Sequence, residues 1–524
     1  MRPSLWHPPV ELTEAEQAIV KRIRRAKLFV FLRRMRHELL SDGFQAELAE
    51  LYNDSQFGQP PVSPGLLALV TIIQAYTGAS DDEAVEATAM DRRWQLVLDC
   101  LDCESAPFGK ATLNRFRQRL IEKGLDRRLI ERTVEMAEQD GGLGPRQLRA
   151  ALDSSPLWGV GRVEDTYNLL GHALRKALGV IARQQGRGLA EIAEEVGAPM
   201  LAASSLKAAL DLDWDDPNER AQALVSILRT LDTIENWRTD QASATQESAV
   251  AKNLAVARQV RDQDIETAAD GAPRLRRGVA RNRRISVEDA EMRHGRKTRS
   301  QLIDGYKRHV LRDLDNTLIR AVGITPANIP EASVADDILA DLDRQQVLVS
   351  EFHIDRAYLS STIVQNRKPD TIIYCKAWPV RNGDHFAKTT FHLDWDAETI
   401  RCPNGVAMPF RPGGVVHFPT ETCASCPSHT RCTRSTHQGR SVSIHQDEKL
   451  MAELRKRQLT PLGRAKLRER VAVEHSLAHV GRWQGRRARY RGQRKNLFDL
   501  RRVGVVHNLH AIDHRQRTRS AVAA

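Results

Sequence analysis

The chain is poor in aromatic residues, 5% of its 524, and has no long apolar run. Stretches such as Leu66–Ile73 are far too short to cross a bilayer. The opening residues, MRPSLWHPPVELTEAE, lack the apolar segment of a secretory signal. A soluble, cytoplasmic protein with no membrane partner is therefore expected. Cysteine is scarce too: seven in all, four of them crowded into residues 402–432. An odd, clustered set does not make a disulfide framework, and reduced thiols or metal ligands fit it better. Core-forming residues are not lacking, at 41% hydrophobic and 28% charged. The length allows three to four domain-sized units. A fibre, a disordered tail and a disulfide-rich mini-protein are all excluded.

The net charge is +12, and its distribution is uneven. Residues 451–524 carry 19 Lys/Arg against five Asp/Glu, whereas the preceding 450 carry 60 against 62. The excess favours a polyanionic partner. Apolar residues continue through this region (Val503, Val505, Val506, Leu509), as in a folded segment rather than a solubilising tail.

Residues 1–125 read as helical, with one apolar stripe through Ile19, Ile23, Leu28, Leu32, Met35 and Leu39 over Glu14–Leu40. Pro64 opens a second helix and Ser80-Asp81-Asp82-Glu83 caps a third. Lys110–Gly124 is a short basic helix, suited either to DNA or to a plain bundle. Gly141–Pro145 is a break. A strand through Leu148, Ala150 and Leu152 leads to Asp153. Residues 163–270 are helical again, and Arg274–Arg284 is an Arg-rich loop. The texture then turns to strands: Gly305–Asp313 and Thr317–Thr325 form a hairpin, and Val347–Ile354 ends at Asp355. Leu462–Val480 reads as one amphipathic helix with Glu474 inside its buried stripe.

Each of the three carboxylates has an ordinary explanation. Asp355 suits a helix cap, Asp153 a turn, and Glu474 an ion pair with Arg470 four residues earlier. Together, two Asp at strand ends and a Glu on a packed helix can converge on divalent metal for phosphodiester chemistry. Asp304 is a weaker competitor, because it opens a strand. Cys402, Cys423, Cys426 and Cys432, with one CxxC, have the spacing of a tetrahedral zinc site, with His417, His429 and His437 as substitutes. The alternative is four reduced thiols in a loop. Cys100 and Cys103 read as core thiols. In DGYKRHV, Lys307 and His309 share one strand face and Tyr306 and Arg308 the other. One face is expected to meet DNA or solvent. Trp483, Tyr490 and Phe498, interleaved with Arg and Lys, suit base stacking or anchoring of the last helix.

The segments ALDSSPLWG, SVEDAEMRHGRKTRSQLIDGYKRHVLRDLDNTLIRAVGITPAN, HIDRAYLSS and RERVAVEHSLAHVGRWQGRRARYRGQRKN resemble DDE transposases of bacterial insertion sequences. The resemblance implies an α/β (mixed α+β) fold: a ribonuclease-H-like core with a helical N-terminal domain, a helical insertion and a small Cys-rich β insertion. The implied layout is a helical DNA-binding domain at 1–140 and core segments at 141–162 and 285–374. A helical insertion with a basic loop follows at 163–284, a β/Cys-rich insertion at 375–445, and the last core segment with a basic tail at 446–524. The resemblance also implies that Asp153, Asp355 and Glu474 hold two Mg²⁺ (or Mn²⁺) ions and are catalytic. Cleavage at the terminal inverted repeats and strand transfer into target double-stranded DNA would follow, by a homodimer on DNA. Related enzymes carry an Arg four residues before the Glu, matched by Arg470, and a Lys seven after it, where this chain has Gly481. Arg482, Arg486 and Lys495 are then candidates for the terminal phosphate, and Lys307, Arg296 and Lys297 for other DNA contacts. Two rival functions share these features: a non-catalytic, domesticated DNA-binding protein, and a metal-dependent nuclease that cuts without joining.

Overall fold

The computed structural model describes residues 2–54, 59–139, 147–241, 247–297 and 300–523. The glycine-rich break expected at 141–145 lies outside them. Among the described residues, no helix is long and apolar enough to cross a membrane.

Six strands form the central sheet: β1 (Leu148–Trp158), β2 (Arg293–Arg296), β3 (Leu302–Asp313), β4 (Ile319–Pro326), β5 (Val349–Ile354) and β6 (Ile372–Tyr374). β3 pairs antiparallel with β1 on one edge and with β2 and β4 on the other. β1 then runs parallel to β5, and β5 to β6. The sheet is therefore half antiparallel meander and half parallel, with helix Ala335–Arg344 on the way from β4 to β5. This is a ribonuclease-H-like α/β core. Gly305 fits only as glycine: its φ is +150°, and a Cβ there would lie 2.2 Å from the Gly159 nitrogen.

The long stripe near the N-terminus forms two helices, Glu14–Arg22 and Lys27–Leu39, instead of one. The capping box at Ser80 forms as the spacing predicts, with Ser80 N donating to Glu83 at 2.6 Å. The helix Lys110–Glu122 buries Leu113, Phe116 and Leu120. Two of its cations are engaged at its neighbour's N-terminus: Arg117 chelates Asp81, and Lys110 lies 2.6 Å from Asp82. Like the others, this helix is part of a bundle.

The basic C-terminal region is a 31-residue helix, Gln493–Ala523, which serves as a spine. Leu500, Val503, Val505, Val506 and Leu509 are fully buried against β4 and the N-terminal helices, in one hydrophobic cluster that includes Phe29, Leu69 and Val310. Many of its cations hold the fold together. Arg494 and Arg501 clasp the fully buried Asp126 at 2.5 and 3.0 Å, and Arg502 pairs with Asp499. Helices between Thr166 and Asp264 enclose a second cluster of their own. Three short strands (His392–Asp394, Thr399–Arg401, Ala407–Pro409) and a two-stranded ribbon (Val415–His417, Ser441–Ser443) form a small β module around Phe391, Ile400, Phe410 and Phe418.

Candidate active site

Asp153 lies in the middle of β1, not at its end, but at the point where the parallel half of the sheet stops. The β1–β5 pairing closes with Leu152 opposite Ile354. Asp153 and Asp355 are thus the next residues on two adjacent strands. The chain makes no turn at Asp153, since β1 continues to Trp158 against β3 alone. Asp355 caps the single 3₁₀ turn Arg356–Tyr358, its carboxylate accepting from the Arg356 amide at 2.7 Å. The capping role is thus present, and the side chain is still exposed.

Glu474 comes from helix Val471–Gln484, and here the sequence reading needs correction. The amphipathic segment is two helices, Pro461–Glu469 and Val471–Gln484, jointed at Arg470. Within Val471–Gln484 the buried stripe is Val473, Ser476, Leu477, Val480 and Gln484. Burying Val473, Leu477 and Val480 against the sheet is worth about 1.5–3 kcal/mol each. Glu474 stands beside this stripe with its side chain 49% exposed. Its charge therefore avoids the desolvation cost that a core position would impose.

Two of the three carboxylates share one cation. Arg470 donates through Nη1 to Asp153 Oδ2 and through Nη2 to Glu474 Oε1, the latter at 2.9 Å, and its charge also feels Asp355. Burial pushes the Asp153 carboxyl above its ordinary pKa; Arg470 and the Ser154 amide pull it back, while Asp355 and Glu331 push it further up. Beneath them, Tyr358 is fully buried, and its hydroxyl meets His309 Nδ1 at 2.8 Å. His309 Nε2 meets Thr325 Oγ1 at 2.9 Å. Glu331 and Tyr358 were missed by sequence reasoning. Both lie far from Asp153 in sequence, and their charge or hydroxyl is felt there only through the fold.

The other sequence candidates fall in three places. Arg482, Arg486 and Lys495 are exposed, as are Arg296 and Lys297 at the end of β2. Lys307 is half-buried, on the opposite sheet face from Asp153; its ammonium donates to the Ile329 carbonyl at 3.0 Å and lies 3.9 Å from Glu331. Neither face of DGYKRHV is open: Tyr306, Arg308 and His309 are all buried. Arg308 ties β3 to the helix end through Ser155 Oγ (2.7 Å) and the Gly485 carbonyl (2.9 Å). Asp304 pairs with His294 at 2.5 Å. It lies six residues along β3 from Val310, the partner of Asp153, a separation of roughly 20 Å along the strand. Trp483 stacks on His510 at 5.2 Å and Phe498 lies in the core, so both anchor helices.

A second group was also missed. Among the described residues, Glu351, His353 and Glu469 are the set whose donor atoms all fall within 4.8 Å of one another. Cations already occupy it. Arg149 Nε reaches Glu351 at 2.9 Å, Lys466 Nζ reaches both its oxygens at 3.1 Å, and Arg149 also pairs with Glu469. Burial works to raise the Glu351 carboxyl, but hydrogen bonds from Arg149, His353 and Lys466 hold it down at about 2. This network knits β1, β5 and helix Pro461–Glu469 together. The donors of Asp153, Asp355 and Glu474 are spaced wider, with the Arg470 guanidinium between two of them.

Two family models match the chain. Residues 401–512 match the family described as Transposase DDE domain, and residues 18–119 match Transposase domain (DUF772). The first match includes Arg470 and Glu474; Asp153 and Asp355 lie outside both. No curated protein and no solved structure matches.

Proposed function

We propose that the chain is a DDE-type transposase of an insertion sequence, which cuts the ends of its element and joins them to target DNA at Asp153, Asp355 and Glu474. The carrying observation is that Arg470 bonds both Asp153 and Glu474 at the seam between the antiparallel and parallel halves of the sheet, where Asp355 is the next residue on the strand beside Asp153.

The donor set fits hard divalent ions: carboxylate oxygens on two adjacent strands and a neighbouring helix, with open solvent on the Asp355 and Glu474 side. Mg²⁺ or Mn²⁺ bound there supplies an activated water or 3′-hydroxyl and a stabilised leaving oxygen. The protein's own part is positioning and charge. Asp153 is fixed by the Ser154 amide at 2.8 Å and Asp355 by the Arg356 amide. Arg470 balances the acids until cations and phosphate arrive, then serves as a phosphate contact. Arg482, Arg486, Lys495, Arg296 and Lys297 supply exposed positive charge for the terminal repeats. The active form is a homodimer that holds two ends.

The test uses labelled DNA from the flanks of the gene, with Mg²⁺. Wild type should nick the ends and transfer them to a second duplex. Asp153→Ala, Asp355→Ala and Glu474→Ala should do neither while still retarding the DNA. Nicking without transfer would support a nuclease instead, and tight binding without either reaction a purely DNA-binding protein.

A further inference from the structure

The small β module raises a question that strand transfer leaves open: what holds it together. Its hydrophobic cluster has only seven buried members, and its strands are three residues each. A unit of this size usually needs a staple. Its four cysteines come from three separate places. Cys402 directly follows the strand Thr399–Arg401. Cys423 lies in the short helix Thr420–Ala424, with Cys426 two residues beyond it. Cys432 closes the turn His429–Cys432. The fold brings all four to the wall of one cavity of about 30 Å³, closed by Phe386, Phe418 and Pro419. That is room for about one ion or one to two waters.

The backbone around them is built as two tight turns. Gly405 N donates to the Cys402 carbonyl at 2.9 Å, with Gly405 at φ +88°, and Cys402 N donates to Val406 O at 2.8 Å. Cys426 N donates to the Cys423 carbonyl at 3.2 Å, and His429 N to Cys426 O at 2.9 Å. All four thiols are free and partly buried. The sulfurs ring the cavity more widely than a bound set, since no three of them fall within 4.8 Å. His429 lines the same cavity, and its Nδ1 meets the Cys423 carbonyl at 2.7 Å. The module leaves the sheet just after Cys375, and Arg356, the neighbour of Asp355, donates to Lys376 O at 2.8 Å and covers Trp378 at 5.0 Å.

We propose that Cys402, Cys423, Cys426 and Cys432 bind one structural zinc ion that locks the β module beside the Asp355 turn. Tetrathiolate zinc satisfies all four ligands and leaves no open position, so it is structural and not catalytic. Binding releases the thiol protons and makes the module's folding metal-dependent.

The test is metal analysis of the full-length protein purified without chelator. About one zinc per chain is expected. Cys423→Ser combined with Cys426→Ser should lose it, whereas His429→Ala and Cys375→Ser should retain it. Because the double variant could misfold, the wild type is also refolded with Co²⁺ alone. Intense thiolate-to-cobalt absorption with tetrahedral d–d bands is expected. In native thiol titration, the four cysteines should react only after chelation. A chain without zinc whose four thiols react at once, or a disulfide among them, would overturn the proposal. Loss of zinc in His429→Ala would overturn the ligand set. None of these readouts depends on transposition, so the zinc site and the transposase reading fail separately.

Discussion

Arg470 sits between Asp153 and Glu474 and donates to both. Asp153 is raised above its ordinary pKa because burial outweighs the pull of Arg470. A raised carboxyl keeps its proton to higher pH, and the protonated form cannot take a cation. Activity should therefore fade on acidification earlier than a solvent carboxylate would require. Arg470→Gln removes the strongest downward pull, so the acid limb of the pH–rate profile should move to higher pH. A limb that stays in place would show that Arg470 does not govern Asp153. The motif spacing in the sequence made Arg470 and Glu474 legible as a pair. It could not show that the same guanidinium also holds Asp153, which is 317 residues away.

At the scale of elements, two ties bear weight that no motif announces. Asn508 is fully buried in the C-terminal spine; its Oδ1 accepts from Ile319 N at 2.7 Å, and its Nδ2 donates to Ile319 O and to Thr133 Oγ1, both at 2.9 Å. It thereby pairs the start of β4. Asn508→Ala leaves these groups unsatisfied and should lower stability by about 2–3 kcal/mol in denaturant melts. The second tie is Glu351. Its carboxyl is held at about 2, below the unfolded value, so its contribution is present above the ordinary carboxylate range and is lost as pH falls towards 2. Glu351→Gln should be less stable at neutral pH and should lose less of its stability on acidification than wild type. Equal slopes would mean that the cations around Glu351 contribute nothing net. Local signals found the strands and caps, because alternation and capping boxes act within a few residues. They failed over Leu462–Val480, where the apolar pattern placed Glu474 inside the stripe and the buried residues are its neighbours Val473, Ser476 and Leu477. The period-based face of DGYKRHV was right, but a strand paired on both edges and covered on both faces has no side left for DNA.

At the scale of the whole molecule, the N-terminal helices, the antiparallel side of the sheet and the C-terminal spine share one core. Arg502 donates to Thr71 O from the middle of it, and Arg489 reaches the Gly78 carbonyl. A fragment starting at residue 147 would expose the apolar face of the spine and should be insoluble or molten when expressed alone, as judged by solubility and near-UV dichroism. A folded, cooperative fragment would contradict this. Composition had located the positive excess correctly in the last residues. It could not reveal that Arg494 and Arg501 are spent on buried Asp126, since ion pairing across 368 and 375 residues leaves no local trace; Arg502 pairs locally with the buried Asp499. Arg482, Arg486 and Lys495 are among those still exposed.

The central claim is that Asp153, Asp355 and Glu474 act as one metal-dependent site. Single-turnover cleavage of end DNA at saturating protein tests it most directly, with Asp153→Asn, Asp355→Asn and Glu474→Gln, which keep shape and remove charge. Each should slow cleavage by roughly three orders of magnitude, the several kcal/mol that metal-centred charge stabilisation supplies, with DNA affinity little changed. Any one of the three cleaving at the wild-type rate would remove that residue from the site and contradict the account.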